Sequence, residues 1–386
     1  MSSFIYYDKL NNLARTYRVE GNKYLIKDAR NFKTDYENVI NEIGEALLYY
    51  DGIAINVYGE NIPLAILVNV FGVKGVEELI DQKSIEFVLD NAIITYLVTD
   101  SKGINPLQYG NLNSEAHCDP EKSATLGLEW LSNKLPRRVR RNLIRKVTKI
   151  YKVPSPDLAK DAVEFGHEGY NSNLFSDLGL PKEKDLTNLN KRERSKLCNF
   201  ASQCLKLAIL SQFKYDTLDL FDIAKISHQE INRLSSAKVI EKNTDKLFNV
   251  EKLPDFKELI KEGVISLDDI PKLRGKKDSK RFRLWISKVS SNDGKEDIIK
   301  EYVDAIDRKS IFETKIGKAV KTLGVWGLTT TLETKLSGSL TEGAIIGGMA
   351  DLGISLLDTY MLDGILKGWN PRHYFNNGIK PLVNKK

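Results

Sequence analysis

Between residues 35 and 49 the apolar positions Val39, Ile40, Ile43, Ala46 and Leu47 recur three and four apart, the spacing of one helix face. The run DGIAINVYG that follows is short, rich in Ile and Val and bounded by Gly, which predicts a strand. NIPLAILVNVFG then reads as a buried helix or a second apolar segment, and VKGVEELIDQ as a short helix. SIEFVLDNAIITYLVTD predicts a β-hairpin turning at Asp90-Asn91. GINPLQYGNLNSEAHCDPEK is polar and rich in Gly, Pro and Asn, and reads as a loop.

Beyond Ser123 the period is helical, with helices expected at 123–134, 136–152, 156–169, 188–213, 221–241, 254–262, 267–274, 278–289 and 295–309. Pro154 and Pro156 divide two of them and Pro181 precedes a third. The final third is read as helical too, and Gly-rich after Gly317. The pattern predicts an α+β chain: a small acidic α/β domain over 1–103, a basic, mainly helical domain over 123–310, and a Gly-rich helical C-terminal region over 311–386.

That last region contains EGAIIGGMADLGISLLDTYMLDGILKGWN, Glu342 to Asn370. A bilayer span needs about 20 mostly apolar residues. Here Asp351, Asp358 and Asp363 interrupt the run, and each aspartate at mid-helix costs about 2.5–3.5 kcal/mol to insert. An amphipathic core helix is the expected form. Two alternatives stay open. Gly343 and Gly347 could admit a neighbouring helix, with Asp351 and Asp358 meeting Lys318, Lys321 or Lys335. Or an oligomer could insert this segment in a membrane, aided by TLGVWGLTTTL upstream.

Composition sharpens the division. The first 100 residues hold 9 Lys/Arg against 15 Asp/Glu, a net of −6, so with an overall charge of +6 the remainder carries +12. Any anionic partner is therefore expected on the later part. The first residues contain early acids and no apolar run, unlike a secretory signal. Three cysteines make no disulfide framework, and a reducing cytoplasm is the expected compartment.

PRRVRRNLIRKVTKIYK, 136–152, is the strongest charge feature, with 8 of 17 residues Lys or Arg. Val139, Leu143, Val147 and Ile150 give it an apolar face, and Pro136 suits a first helical turn. Phosphate, an anionic lipid surface or an acidic protein would each suit such a helix, as would a solvated outer face docked on the acidic domain. Arg137, Arg138, Arg140, Arg141 and Arg145 are the expected anion-binding residues. A second candidate set, Lys280 and Arg283, lies in KLRGKKDSKRFRLWISK, where Phe282 and Trp285 could stack bases. Yet Phe282, Trp285, Ile286 and Val289 also keep the spacing of a core face.

Catalytic signals are sparse. Phosphate-loop, dinucleotide, zincin and nucleophile-elbow patterns are missing from the sequence. His117-Cys118-Asp119 could pair a thiol with an imidazole, but adjacent residues seldom aim at one atom. Glu164, His167 and Glu168 would need a second, facing set to hold metal. Glu313-Thr314-Lys315 and Glu333-Thr334-Lys335 match the short Glu-x-Lys pattern of metal-dependent nucleases. No cofactor and no metal is expected.

LPDFKELIKEGVISLDDIPKLRGKKDSKRFRLWIS and LLDTYMLDGILKGWNPRHYF resemble a broad set of bacterial proteins, some associated with phage defence. The resemblance spans about 250–375, with an echo in IPLAILVNVFGVKGVEELIDQKSIEFVL. It implies a bacterial, cytoplasmic protein and brings no catalytic residue. The function expected is non-catalytic binding of an anionic partner, nucleic acid or acidic protein, as a sensor or effector in phage defence. A membrane-active effector and a metal-dependent nuclease are the alternatives.

Overall fold

The computed structural model describes residues 4–17, 19–20, 23–24, 30–96, 103–171, 185–217, 243–254, 256–291, 320–330, 374–379 and 381. In chain order the elements are β1 (Phe4–Tyr7), α1 (Lys9–Tyr17), β2 (Val19–Glu20), β3 (Lys23–Tyr24), α2 (Phe32–Tyr49), β4 (Gly52–Val57), α3 (Ile62–Asp81), β5 (Ile85–Leu89), β6 (Ala92–Tyr96) and β7 (Leu107–Asn111). They continue with α4 (Glu115–Cys118), α5 (Pro120–Gly127), α6 (Arg137–Thr148), β8 (Tyr151–Lys152), α7 (Leu158–Asn171), α8 (Lys191–Phe213) and β9 (Asp216–Thr217). Then follow β10 (Asn243–Pro254), α9 (Phe256–Lys261), α10 (Ile270–Gly275), α11 (Lys277–Ser291) and β11 (Val320–Thr330). The chain is α+β, with a small parallel sheet built largely from its N-terminal part and helices around it.

The main sheet has seven strands in the order β10-β11-β9-β1-β4-β5-β8. Its centre, β9 to β8, is parallel, and the β10–β11 pair joins β9 antiparallel through Trp326 opposite Thr217. Both faces of β1, β4 and β5 are covered, and the strand sequences show it. Ile5, Tyr7, Ile53, Ile55, Val57, Ile85, Phe87 and Leu89 point into one core, shared with α1, α2, α3, α5 and α6. Tyr6, Ala54 and Val88, from the alternate positions, point into the other, shared with α7 and α8. Central parallel strands are apolar on both sides for this reason.

The chain steps from β1 to β4, β5 and β8 with its helices on one face. It then crosses the other face through α7 and α8 to set β9 beside β1. α9, α10 and α11 enlarge the first core by packing on α2 and α3. α2 admits them at Gly44, where a Cβ would lie 2.8 Å from Ile260 and 2.9 Å from Ile270. Tyr374 stacks on Phe282 with centroids 4.4 Å apart.

Several expectations change. β5 and β6 do follow one another across Asp90-Asn91, but they do not form a hairpin. β5 is already held on both edges by β4 and β8, and β6 pairs with β7 in a separate sheet. β7 lies inside the stretch expected to be loop. Val320–Thr330 is a strand rather than a helix, as its β-branched Val320, Thr322, Val325, Thr329 and Thr330 favour. The division of the 61–82 stretch holds: α3 kinks at Gly72, whose φ of 68° needs glycine.

The expected helices at 221–241 and 295–309, and the Glu342–Asn370 stretch, lie outside the described residues. Among the described residues no helix is long and apolar enough to cross a membrane.

Candidate functional site

Leu143 and Val147 are fully buried, and Ile144 and Ile150 pack against the same core, so α6 is fixed by its apolar side on α3 and α5. At 100° per residue, Arg137, Arg141, Arg145, Arg138 and Lys149 fall within an arc of about 120° on the opposite side. All five are exposed, and among the described residues none has an ion-pair partner. Lys134, just before the helix, is exposed as well.

The flanks of α6 behave differently. Arg140 is half-buried and donates to the Thr125 carbonyl at 2.9 Å and to Glu129 at 3.2 Å. Lys146 pairs with Asp81 at 3.0 Å. Arg140 is therefore committed to the fold, whereas Arg137, Arg138, Arg141 and Arg145 share one outward stripe. Lys149 completes that stripe. It lies four residues beyond Arg145, a spacing legible in the sequence.

This arrangement opposes the helix's own stability. Arg137 and Arg138 sit in the first turn with no acidic residue and no side-chain cap beside them, at the positive end of the helix dipole. The pairs 137/141, 141/145 and 145/149 set like charges four apart, each unfavourable by about 0.2–0.5 kcal/mol. The internal packing does not account for such a row.

Lys280 and Arg283 are not brought together. Lys280 is exposed, but Arg283 is only 7% exposed and donates to the Arg274 carbonyl. Ser279, Phe282, Arg283 and Ile286 form the inward side of α11, at spacings of three and four. Trp285 stacks on Phe282 at 5.9 Å, so the aromatic rings serve the core.

The carboxyl ends of parallel strands beside a reversal in strand order are the usual ligand-binding edge of α/β sheets. Here that edge gathers polar groups, some of which pair with one another, while Asn56 Oδ1, Asn91 Oδ1 and His117 Nε2 are buried without a hydrogen-bond partner among the described residues. Asp8 pairs with Lys206 at 2.8 Å, and Arg15 with Glu60 at 3.3 Å. Asn61 donates to the Tyr151 hydroxyl at 2.7 Å, which donates to Ser123.

His117 hydrogen-bonds Ser114 through Nδ1 at 2.7 Å and lies edge-on to Tyr58, while Cys118 donates to the Leu112 carbonyl, so thiol and imidazole do not pair. Glu164 meets Lys160, and His167 meets Asn105. Among the described residues no three of His, Cys, Asp and Glu gather to hold a metal. Both Glu-x-Lys motifs lie outside the described residues.

Burial lowers the His117 pKa, with Arg15 adding to the shift and Glu60 opposing it. A base depressed in the folded state stabilises above its unfolded pKa of 6.5, and that contribution is lost as pH falls through the folded value. His117→Gln is expected to shrink the loss of unfolding free energy between about pH 8 and pH 5, measured by urea denaturation. His167, also depressed by burial, keeps its own share in that variant.

No family model, curated protein or solved structure matches this chain.

Proposed function

We propose that this is a non-catalytic binding protein that docks nucleic acid through α6. The supporting observation is the outward row Arg137, Arg138, Arg141, Arg145 and Lys149, exposed and without ion-pair partners among the described residues. Its contacts would be to phosphate, giving affinity that ignores sequence and falls with salt. A role as sensor or effector in phage defence rests on the sequence resemblance alone.

The test is a variant with Arg138, Arg141 and Arg145 all changed to Gln, titrated into labelled DNA and followed by anisotropy. Each lost phosphate contact should reduce the slope of log K against log salt by about 1, and affinity at low salt should drop at least tenfold. The same variant relieves like-charge pairs, so its stability should rise by about 0.5–1 kcal/mol in urea. Opposite signs in the two measurements separate lost docking from lost folding. Unchanged affinity would remove this reading.

A further inference from the structure

We infer that the α6 row is built for double-stranded nucleic acid in preference to single strands and to membranes. This rests on the reading of α6 as a nucleic-acid surface.

Three observations select the duplex. The first is the absence of a stacking platform. Proteins that grip single strands combine a basic groove with aromatic side chains on which bases stack. From Lys134 to Lys149 there is no aromatic residue. The nearest two in sequence are turned inward: Trp130 packs against the core, and Tyr151 is tied to Asn61 and Ser123. The row itself offers charge and no stacking face.

The second is charge density. From Arg137 to Lys149 the row runs about 18 Å along the helix axis, at about 1.5 Å per residue. A duplex presents one charge per about 1.7 Å of axis, and one strand within it one per about 3.4 Å. A row of five cations gains most from the denser anion.

The third concerns lipid. A basic amphipathic helix binds a bilayer by sinking its apolar face among the acyl chains. The apolar face of α6 is already spent, because Leu143 and Val147 are fully buried beneath it. The helix can offer a membrane its charges only, with nothing to insert.

The experiment uses the full chain and its Arg138/Arg141/Arg145→Gln variant. The probes are a mixed-sequence duplex of 24 base pairs, the matching single strand, polyglutamate of equal charge, and vesicles containing phosphatidylserine. With three to five contacts, duplex affinity should fall roughly forty- to five-hundredfold between 50 and 200 mM salt. The duplex should bind at least tenfold tighter than the strand, and the triple variant should lose most of that preference. Equal or tighter binding of the strand overturns this inference and leaves the nucleic-acid reading standing. Polyglutamate or vesicles matching the duplex overturn both, and so does failure of either nucleic acid to bind at 50 mM salt.

Discussion

Replacing Arg274 with Met should destabilise the protein by about 3–5 kcal/mol, because three carbonyls lose their donor at about 1–3 kcal/mol each, offset in part by removal of a buried charge. Arg274 is 2% exposed and sits at the carboxyl end of α2. Nη1 donates to the carbonyls of Leu47 and Tyr50, the latter at 2.7 Å, and Nη2 donates to that of Asp51. Helix-end carbonyls have no partner within the helix, and the dipole there is negative. One guanidinium therefore closes three acceptors and meets a favourable field.

Arg283 stands beside it with Nε 3.9 Å from Asp51 and donates to the Arg274 carbonyl. Burial draws the Arg274 pKa well below its usual value, and the Arg283 charge adds to this while Asp51 opposes it. Met keeps most of the volume and none of the donors, so a loss as large as that of Arg274→Ala identifies the hydrogen bonds as the cause. Arg274→Lys should recover only part, because an ammonium cannot fork across three carbonyls. The midpoint of urea denaturation reports all three. A loss under about 1 kcal/mol for Met would show that water or neighbouring groups replace the guanidinium.

The same arginine shows where sequence reading ran out. In KLRGKKDSKRFR every basic residue looks alike, and the cluster suggests a solvated anion-binding surface. Arg283 donates to the Arg274 carbonyl within the same segment, but Arg274 is internal because the carbonyls it serves lie 223 to 227 residues earlier. No local window contains that demand. α6 was legible, since its apolar period and its charges share one 17-residue segment. Even there the wheel could not show that Arg140 would be diverted to Glu129.

The hairpin expected at Asp90-Asn91 failed in a related way. A turn signal marks where a strand ends, whereas pairing is decided by which edges remain open. β5 spends both of its edges on β4 and β8, a strand more than sixty residues away in the sequence.

The uneven charge also has a partly internal explanation. Asp8, Glu42, Asp51, Asp81 and Glu86 of the acidic first hundred residues meet Lys206, Lys257, Arg283, Lys146 and Lys152 from beyond it. Most of these contacts are at least partly exposed, so each contributes modestly. Their common effect is to match one stretch of chain to another. The sheet likewise draws strands from both, with β8 and β9 set beside β5 and β1. Among the described residues, part of what this matching leaves over is the outward row on α6.

Asp216→Asn should stabilise the protein by about 2–4 kcal/mol at pH 8 and leave it unchanged at pH 4. Asp216 lies on β9 opposite Ile5, between β1 and β11, with limited access to water. Burial pushes its carboxyl up from 3.8 to about 7. An acid raised in the folded state binds its proton more tightly there than in the unfolded chain. Its stabilising contribution is complete below about pH 4 and is lost as pH rises towards 7. Each unit is worth about 1.4 kcal/mol, which sets a ceiling near 4 kcal/mol for the charged form; residual contact with water brings the expectation below it.

Asn resembles the protonated acid in shape and never ionises, so the variant removes only the penalty of the alkaline side. The difference between variant and parent isolates this group from His117 and His167, whose depressed values act in the opposite direction. Parallel urea titrations at pH 4, 6 and 8 should show the two curves separating as pH rises. Curves that stay superimposed would mean that the carboxylate is solvated in the folded chain, and that β9 is more open than its place between β1 and β11 implies.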